Sequence, residues 1–363
     1  MYDYLIVGSG LFGCTFANLA LKDNKKCLIL EKRNHPFGNC YTERVGQVDV
    51  HKYGPHIFHT NSIEIWDYVN KFTKFNNFVN RPKVKFKNSI FSFPINLMTL
   101  HQLWGISTPH EAMQKLNDVK IHIDNPANLE EWALSQVGEE IYEIFIKGYT
   151  TKQWNTDPKN LPSFIIQRLP IRLNFDDNYF FDKYQGIPIN GYSDMMQNMV
   201  EDTEIILNTN YLDNKEKWNK MAKYIIYTGP VDEYFDNSLG VLNYRSLRFE
   251  HINLDQKDFQ GNAIINYTER DVPYTRIIEH KHFAYIDSDQ TLITKEYPQD
   301  WTFGGDRYYP INNSYNNDLY EKYKLLVKKQ NNIVFGGRLA EYKYYDMHQI
   351  IGSAMTKYKK LIH

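Results

Sequence analysis

The chain has 363 residues, enough for two or three domains with sizeable cores. Its 42 lysines and arginines nearly balance 43 acids, for a net charge of -1, so no bulk field favours a polyanion such as nucleic acid and any anion must be held by local arginines. Three cysteines, Cys14, Cys27 and Cys40, form neither a metal-ligand spacing nor an even disulfide framework, and no metal is expected. The first strand begins almost at the N-terminus, and no apolar run approaches the roughly 18 residues of a membrane span, so a soluble, cytoplasmic protein is expected. Aromatics make up 15%, which serves the core and can also build stacking surfaces for bases and sugars.

Tyr4-Leu5-Ile6-Val7 reads as a buried strand and enters Gly8-Ser9-Gly10-Leu11-Phe12-Gly13, the spacing G-x-G-x-x-G. Leu11, Ala17, Leu19 and Leu21 follow with helical spacing, and Cys27-Leu28-Ile29-Leu30 is a second strand ending in Glu31. In such a unit the first glycine permits the tight turn, the second lets a pyrophosphate approach the backbone, and the third lets helix and strand pack closely. The helix N-terminus supplies free N–H groups and partial positive charge. Glu31 suits a ribose diol and repels a 2'-phosphate, which leaves FAD or NAD rather than NADP.

Further along, 45–50 reads as a strand, and Tyr53 to Thr60 carries His56 and His59 beside Gly54-Pro55. Ser62 caps a helix to Phe72. Val84 to Lys87 and Ile90 to Phe93 form a hairpin about Asn88-Ser89. The pattern then turns helical, with segments 97–104, 109–116, 128–137 ending at Gly138, and 139–147. From Tyr149 to Arg172, Pro158, Pro162 and Pro170 point to a loop. Residues 192–200 read as a helix, 204–207 and 224–227 as strands, and 241–310 as short strands of an antiparallel sheet.

Leu319 to Lys329 is helical, Ile333-Val334-Phe335 is a strand, and Gly336-Gly337-Arg338 is a second glycine turn. Asp346 is placed to cap the last helix. The returning strand, glycine turn and helix favour FAD, because a second helix N-terminus can face the flavin and stabilise negative charge on reduction. The fold class expected is α/β and α+β: a Rossmann-like FAD-binding domain (1–76, 186–240, 316–363), an inserted helical domain with a mobile substrate loop (95–170), and an antiparallel β-sheet domain (77–94, 171–185, 241–315).

Gly54-Pro55-His56-Ile57-Phe58-His59, Phe145-x-x-x-Tyr149-Thr150-x-x-Gln153-Trp154, Val272-Pro273-Tyr274-Thr275-Arg276, Tyr308-Tyr309-Pro310 and Gly336 to Met347 together resemble bacterial UDP-galactopyranose mutase. The resemblance implies an isomerase that interconverts UDP-galactopyranose and UDP-galactofuranose for cell-surface polysaccharide. In that family N5 of reduced FAD is the nucleophile on the anomeric carbon and UDP is the leaving group. It implies Arg168, Arg276 and His56 as catalytic residues, the arginines gripping the diphosphate with planar forks.

Phe145 and Tyr149 match the uracil pocket, with Asn80, Thr150, Trp154, Tyr179 and Asn266 around nucleotide and sugar. Tyr309 and Tyr344 match residues near the diphosphate, and His59 one near the sugar. For the cofactor it implies Gly8, Gly10, Phe12, Gly13, Glu31, Lys32, Gly38, Asn39, His56, Ile57, Arg338, Tyr345, Asp346 and Met347. The partners implied are UDP-galactose and a reductant such as NAD(P)H or a flavin-reducing system, in a homodimer; the proline-punctuated stretch around Trp154 and Arg168 is expected to be a lid that closes on UDP.

Two positions depart from the family pattern: Phe37-Gly38-Asn39 where Gly-Gly-Asn is usual, and Asn190 where Ile-Gly-Gly-Tyr is usual. Two rivals share the domain plan. A flavin amine oxidase or desaturase requires net electron transfer, and a Rab GDP-dissociation inhibitor needs neither flavin nor the Arg168 and Arg276 pair.

Overall fold

The computed structural model describes residues 1–166 and 171–362, so Arg168 and the part of the expected lid around it lie outside the described residues. Contacts divide the chain into two compact units: Met1–Asn77, Asp182–Ser246 and Trp301–His363 form one, and Phe78–Phe181 with Leu247–Asp300 the other.

The first unit is built on a five-stranded parallel sheet in the order Ile333–Phe335, Ala222–Tyr227, Tyr2–Val7, Cys27–Leu30, Glu204–Ile206. Its strands are nearly continuous apolar runs because both faces are covered, as parallel sheets require. Ile6, Ile29 and Ile226 face a core shared with Phe16, Met195, Met196, Ile351 and Ala354. Leu5, Leu28 and Ile225 point the other way, to Tyr211, Trp218, Leu319 and Tyr323. Each such aliphatic side chain contributes roughly 1.5–3 kcal/mol on burial. In register, Val7 lies opposite Leu30 and Tyr227, and Tyr227 opposite Phe335. Gly8, Glu31, Thr228 and Gly336 therefore emerge at one edge, the carboxyl ends of the strands, where such sheets bind ligands.

In the second unit the helices Leu97–Trp104, Pro109–Val119 and Leu129–Ile141 share a core with Val84, Phe91 and Phe93 of the hairpin region. Its sheet runs Thr291–Asp300, Arg276–Glu279, Ile264–Tyr267, Lys83–Phe86, Ser89–Ser92. The strand Tyr244–Leu254 starts in the first unit, where Tyr244 and Arg245 pair with Pro310 and Tyr309, and belongs to the second unit from Leu247 on. We propose that this unit divides further into a helical and a sheet domain.

Several local expectations are corrected. Residues 45–50 are a hairpin, Thr42–Val45 against Val48–His51, because Gly46 takes φ +59 and turns the chain. In the hairpin 83–92 the turn is Lys87-Asn88, with Lys87 at φ 53, so Phe86 pairs with Ser89 one residue earlier than the turn chemistry predicted. The sheet is not antiparallel throughout, since Ile264–Tyr267 pairs with Lys83–Phe86 in parallel. Residues 148–154 are a helix, Gly148–Trp154, continuing from the π-helical turn Tyr142–Lys147, and the break expected at Gly138 is a kink at φ 74. Thr291–Asp300 and Tyr244–Leu254 are long strands rather than short ones.

Candidate functional site

The glycine turn meets its steric requirements one residue at a time. Gly8 holds φ +99 and a Cβ there would lie 2.2 Å from Thr228 Oγ1; one on Gly13 would lie 2.1 Å from the carbonyl oxygen of Gly8. A Cβ on Gly10 would meet nothing within 4 Å, so the second glycine borders open space. The helix Leu11–Lys22 has no side-chain cap and no acid in its first turn, which leaves its N-terminus available to an anion. Gly38 packs against this turn, a Cβ there lying 3.2 Å from Gly10 Cα. The ring of Phe12 lies under the second glycine turn, 2.1 Å from a Cβ built on Gly336. Phe12 is thus a packing residue that joins the two turns.

Glu31 is buried and accepts hydrogen bonds from Ser9 N (3.0 Å), Ser9 Oγ (2.7 Å) and Arg33 N (3.0 Å). Ser9 Oγ in turn accepts from the backbone N–H of Phe37 at 2.8 Å. Phe37, which stands where the resembled family has glycine, holds a left-handed φ of 74 while buried. Arg33 bonds Asn39 Oδ1 (3.0 Å) and Asp306 Oδ1 (2.9 Å) and stacks on Tyr53, roles the sequence did not reveal. Lys32 is exposed.

His56 Nδ1 lies 2.9 Å from the Gly54 carbonyl oxygen, and its backbone N–H donates to His51 Nδ1 at 3.1 Å. Burial, with the Arg338 cation adding to it against the Gly54 hydrogen bond, lowers the His56 imidazole to about 4. It is neutral at pH 7. With the proton on Nδ1 toward Gly54, Nε2 is the acceptor. Burial likewise brings His51 down to about 3. Ile57 is buried next in the chain.

Arg338 donates to the Tyr308 carbonyl oxygen and lies 5.9 Å and 5.7 Å from the ring centroids of Tyr309 and Tyr344, which stack on each other at 5.6 Å. Asp346 immediately precedes the helix Met347–Ile362; its own N–H donates to Gln349 Oε1. Donor atoms of His59, Asp346 and His348 lie within 4.8 Å of one another, a spacing a cation could use, and His59 Nδ1 is 2.6 Å from Asp182. Asp258, Glu279 and His282 in the second unit have similar spacing, but Lys281 Nζ lies 3.1 Å from Asp258 and already supplies positive charge. Tyr345 is half-buried, with Lys343 Nζ 5.7 Å from its ring.

In the second unit, strand pairing puts Asn266 opposite Arg276 and Arg276 opposite Glu296, so the three side chains share one face. Arg276 Nε forms an ion pair with Glu296 Oε1 at 3.0 Å, and its Nη2 donates to the Tyr149 hydroxyl at 3.3 Å. Phe145 is buried against Phe91 and Phe93, and Phe93 also contacts the exposed ring of Tyr179. Asn80 accepts the backbone N–H of Tyr179 at 2.8 Å. Thr150 is buried and Trp154 half-buried on the helix that carries Tyr149. Glu296, His51 and Lys152 were not singled out from sequence. Only Lys152 had a signal, its place inside the Tyr149-to-Trp154 motif.

A glycine turn at the carboxyl edge of a parallel sheet, an uncapped helix N-terminus and a buried acid after the second strand define a Rossmann-like dinucleotide-binding protein. Models of a NAD(P)-binding Rossmann-like domain and of UDP-galactopyranose mutase match residues 6–72 and 144–344. The chain is 40% identical to a probable UDP-galactopyranose mutase of Klebsiella pneumoniae over 358 residues, 97% of this chain and 93% of that protein. It is 37% identical to dTDP-fucopyranose mutase of Escherichia coli over 365 residues, 98% and 97% of the two chains. A crystal structure of reduced UDP-galactopyranose mutase shares the fold at a TM-score of 0.78 and 16% identity, covering 100% of this chain and 94% of that one. The chain belongs to the UDP-galactopyranose mutase family and is an isomerase of that family. Membership implies a flavin cofactor. No helix among the described residues is long and apolar enough to cross a membrane.

Proposed function

We propose that the protein interconverts UDP-galactopyranose and UDP-galactofuranose, with FAD at the first glycine turn and the UDP moiety at the Arg276 guanidinium. The residues fit the cofactor: Gly10 borders open space, and the uncapped helix behind it offers N–H groups to a pyrophosphate. When bound and reduced, the flavin supplies N5 as the nucleophile toward the anomeric carbon. Glu31, Gly38 and Asn39 flank the glycine turn as adenosine-side contacts, with Lys32 at the rim. Arg338, Tyr345, Asp346 and Met347 serve the flavin side through the second glycine turn. His56, neutral with Nε2 as acceptor, accepts a hydrogen bond near that centre and so helps set the protonation state there, and His59 lines the sugar.

The observation that carries the reading is the row Asn266, Arg276 and Glu296 across adjacent strands, with the Tyr149 hydroxyl on the same guanidinium. A planar cation steadied by a buried acid, beside an aromatic ring, suits a nucleoside diphosphate that leaves and must be retained for recapture. Each charged hydrogen bond to it is worth roughly 1.5–3 kcal/mol. Arg168 supplies a second cation in this scheme, and Phe145, Thr150, Trp154 and Tyr179 surround the base and sugar. Tyr309 and Tyr344, beside Arg338, contact the diphosphate. We assign a reductant such as NAD(P)H, a cytoplasmic location, a homodimer and a product destined for cell-surface polysaccharide.

The test is incubation of UDP-galactose with and without dithionite, products separated by chromatography and weighed. A new peak of unchanged mass only after reduction is the expected result; an oxidised product, or none, overturns the reading. The Escherichia coli relative favours a second substrate, so dTDP-fucopyranose belongs in a parallel arm.

A further inference from the structure

We infer that Lys152 is a positioning residue for the diphosphate site, one that sets the Arg276 guanidinium against Tyr149 by clamping a helix to the turn that precedes Arg276. The inference rests on the functional reading above, and it assigns Lys152 no contact with substrate.

Lys152 Nζ donates to three main-chain oxygens, those of Tyr267 (2.7 Å), Val272 (3.0 Å) and Tyr274 (2.9 Å). An ammonium has three N–H donors and no acceptor, so three carbonyl oxygens satisfy it completely. The three acceptors bracket the connection between the strands Ile264–Tyr267 and Arg276–Glu279. Strand pairing already fixes the backbone of Arg276 against Asn266 and Glu296. What pairing does not fix is the position of the helix Gly148–Trp154 relative to that hairpin, and this helix carries the Tyr149 hydroxyl that Arg276 Nη2 reaches at 3.3 Å.

Tyr149 and Lys152 stand three residues apart, on one face of the helix. Gly148 makes the approach possible: a Cβ there would lie 2.0 Å from the Thr268 carbonyl oxygen and 3.2 Å from Arg270 N. The contacts close a circuit, from helix through Lys152 to the turn, along two residues to Arg276, and back through Tyr149 to the helix. Without the ammonium, three carbonyl oxygens lose a shared donor and the turn is released from the helix. A cation-bearing side chain whose placement matters to within a fraction of an ångström then loses one of its supports.

The experiment measures UDP dissociation constants on the FAD-loaded protein for wild type, Lys152→Met, Arg276→Ala and the double variant. Lys152→Met is expected to weaken UDP at least tenfold with FAD content unchanged, while the same change in the Arg276→Ala background weakens it less than threefold, because the two act on one path. Lys152→Gln, which keeps an amide donor for one of the three oxygens, should show a smaller loss with the same dependence on Arg276 and serves if Lys152→Met fails to fold. Rescue separates position from bulk stability: Lys152→Cys alkylated with 2-bromoethylamine regains an ammonium at nearly the same reach, and UDP affinity should return to within threefold of wild type. Cys14, Cys27 and Cys40 are buried from the reagent. Wild-type affinity in Lys152→Met, additivity with Arg276→Ala, or no recovery on alkylation overturns the inference alone. A wild-type protein that binds no UDP overturns the functional reading and the inference with it.

Discussion

The hydroxyl of Tyr149 lies 3.3 Å from Nη2 of Arg276, two residues far apart in the chain whose helix and strand meet where Gly148 and Lys152 approach the turn before Arg276. The Nε of the same guanidinium pairs with Glu296, 1% exposed, so the fork is held at two of its nitrogens. Tyr149→Phe keeps the ring and removes the hydroxyl. It should weaken UDP by about 1 kcal/mol, roughly fivefold, the share of one long hydrogen bond to a charged group. Calorimetric titration with UDP checks this, and an unchanged constant would mean that the ring alone contributes.

The glycines of the first turn separate folding from cofactor binding. Gly13→Ala places a Cβ 2.1 Å from a backbone oxygen and should destabilise the protein by about 3 kcal/mol. Gly10 has φ -65 and an extended ψ, which alanine adopts freely, and its Cβ would enter open space. Gly10→Ala should therefore melt like wild type without cofactor yet purify with little flavin. Absorbance near 450 nm and a melting curve of the apo protein distinguish the two, and full flavin content in Gly10→Ala would contradict the pyrophosphate assignment.

Acid should destabilise the protein through half-buried His56 and buried His51. His56 titrates at about 4 in the fold, pulled down by burial, against an ordinary value of 6.5, and His51 at about 3. Between those values the unfolded chain binds more protons than the folded one, so stability is full above pH 6.5 and is lost as pH falls toward 4. His56→Ala should reduce that acid sensitivity, retain FAD and lower turnover at least a hundredfold, the usual scale for a positioned proton carrier. Denaturant midpoints from pH 4 to 7 and the isomerase assay read both effects; unchanged turnover would remove His56 from the reaction.

Phe37 sets two opposing effects against each other. Its left-handed φ of 74 costs an L-residue roughly 1–2 kcal/mol, which glycine would relieve. Its ring is 3% exposed, and removing a buried Phe costs about 3–5 kcal/mol. Burial wins, so Phe37→Gly should destabilise by about 2 kcal/mol although it relieves the backbone. A higher melting temperature would show that backbone strain dominates.

Much of the first unit could be read from short stretches. The strand, the G-x-G-x-x-G turn, the acid at position 31 and the returning glycine turn are local patterns, because sterics and side-chain periodicity act over a few residues. Tyr149 and Arg276 were legible as motif members; the fold sets Asn266 beside Arg276 on one strand face and brings the Tyr149 hydroxyl to the guanidinium. Other features depend on partners that no local pattern names. The hairpin 83–92 turns one residue earlier than its Asn-Ser pair implied, since the pairing of Val84 with Phe91 places both in the core shared with the helices. Phe145 packs in that same core, and Ile264–Tyr267 joins Lys83–Phe86 in parallel, a pairing that follows from the whole sheet order. Lys152 is the clearest case: a lysine has no sequence signature for three carbonyl oxygens that converge on it from more than a hundred residues away. Periodicity and glycine sterics are written into the chain locally, whereas register, buried ion pairs and the convergence of main-chain acceptors arise when distant segments share one core.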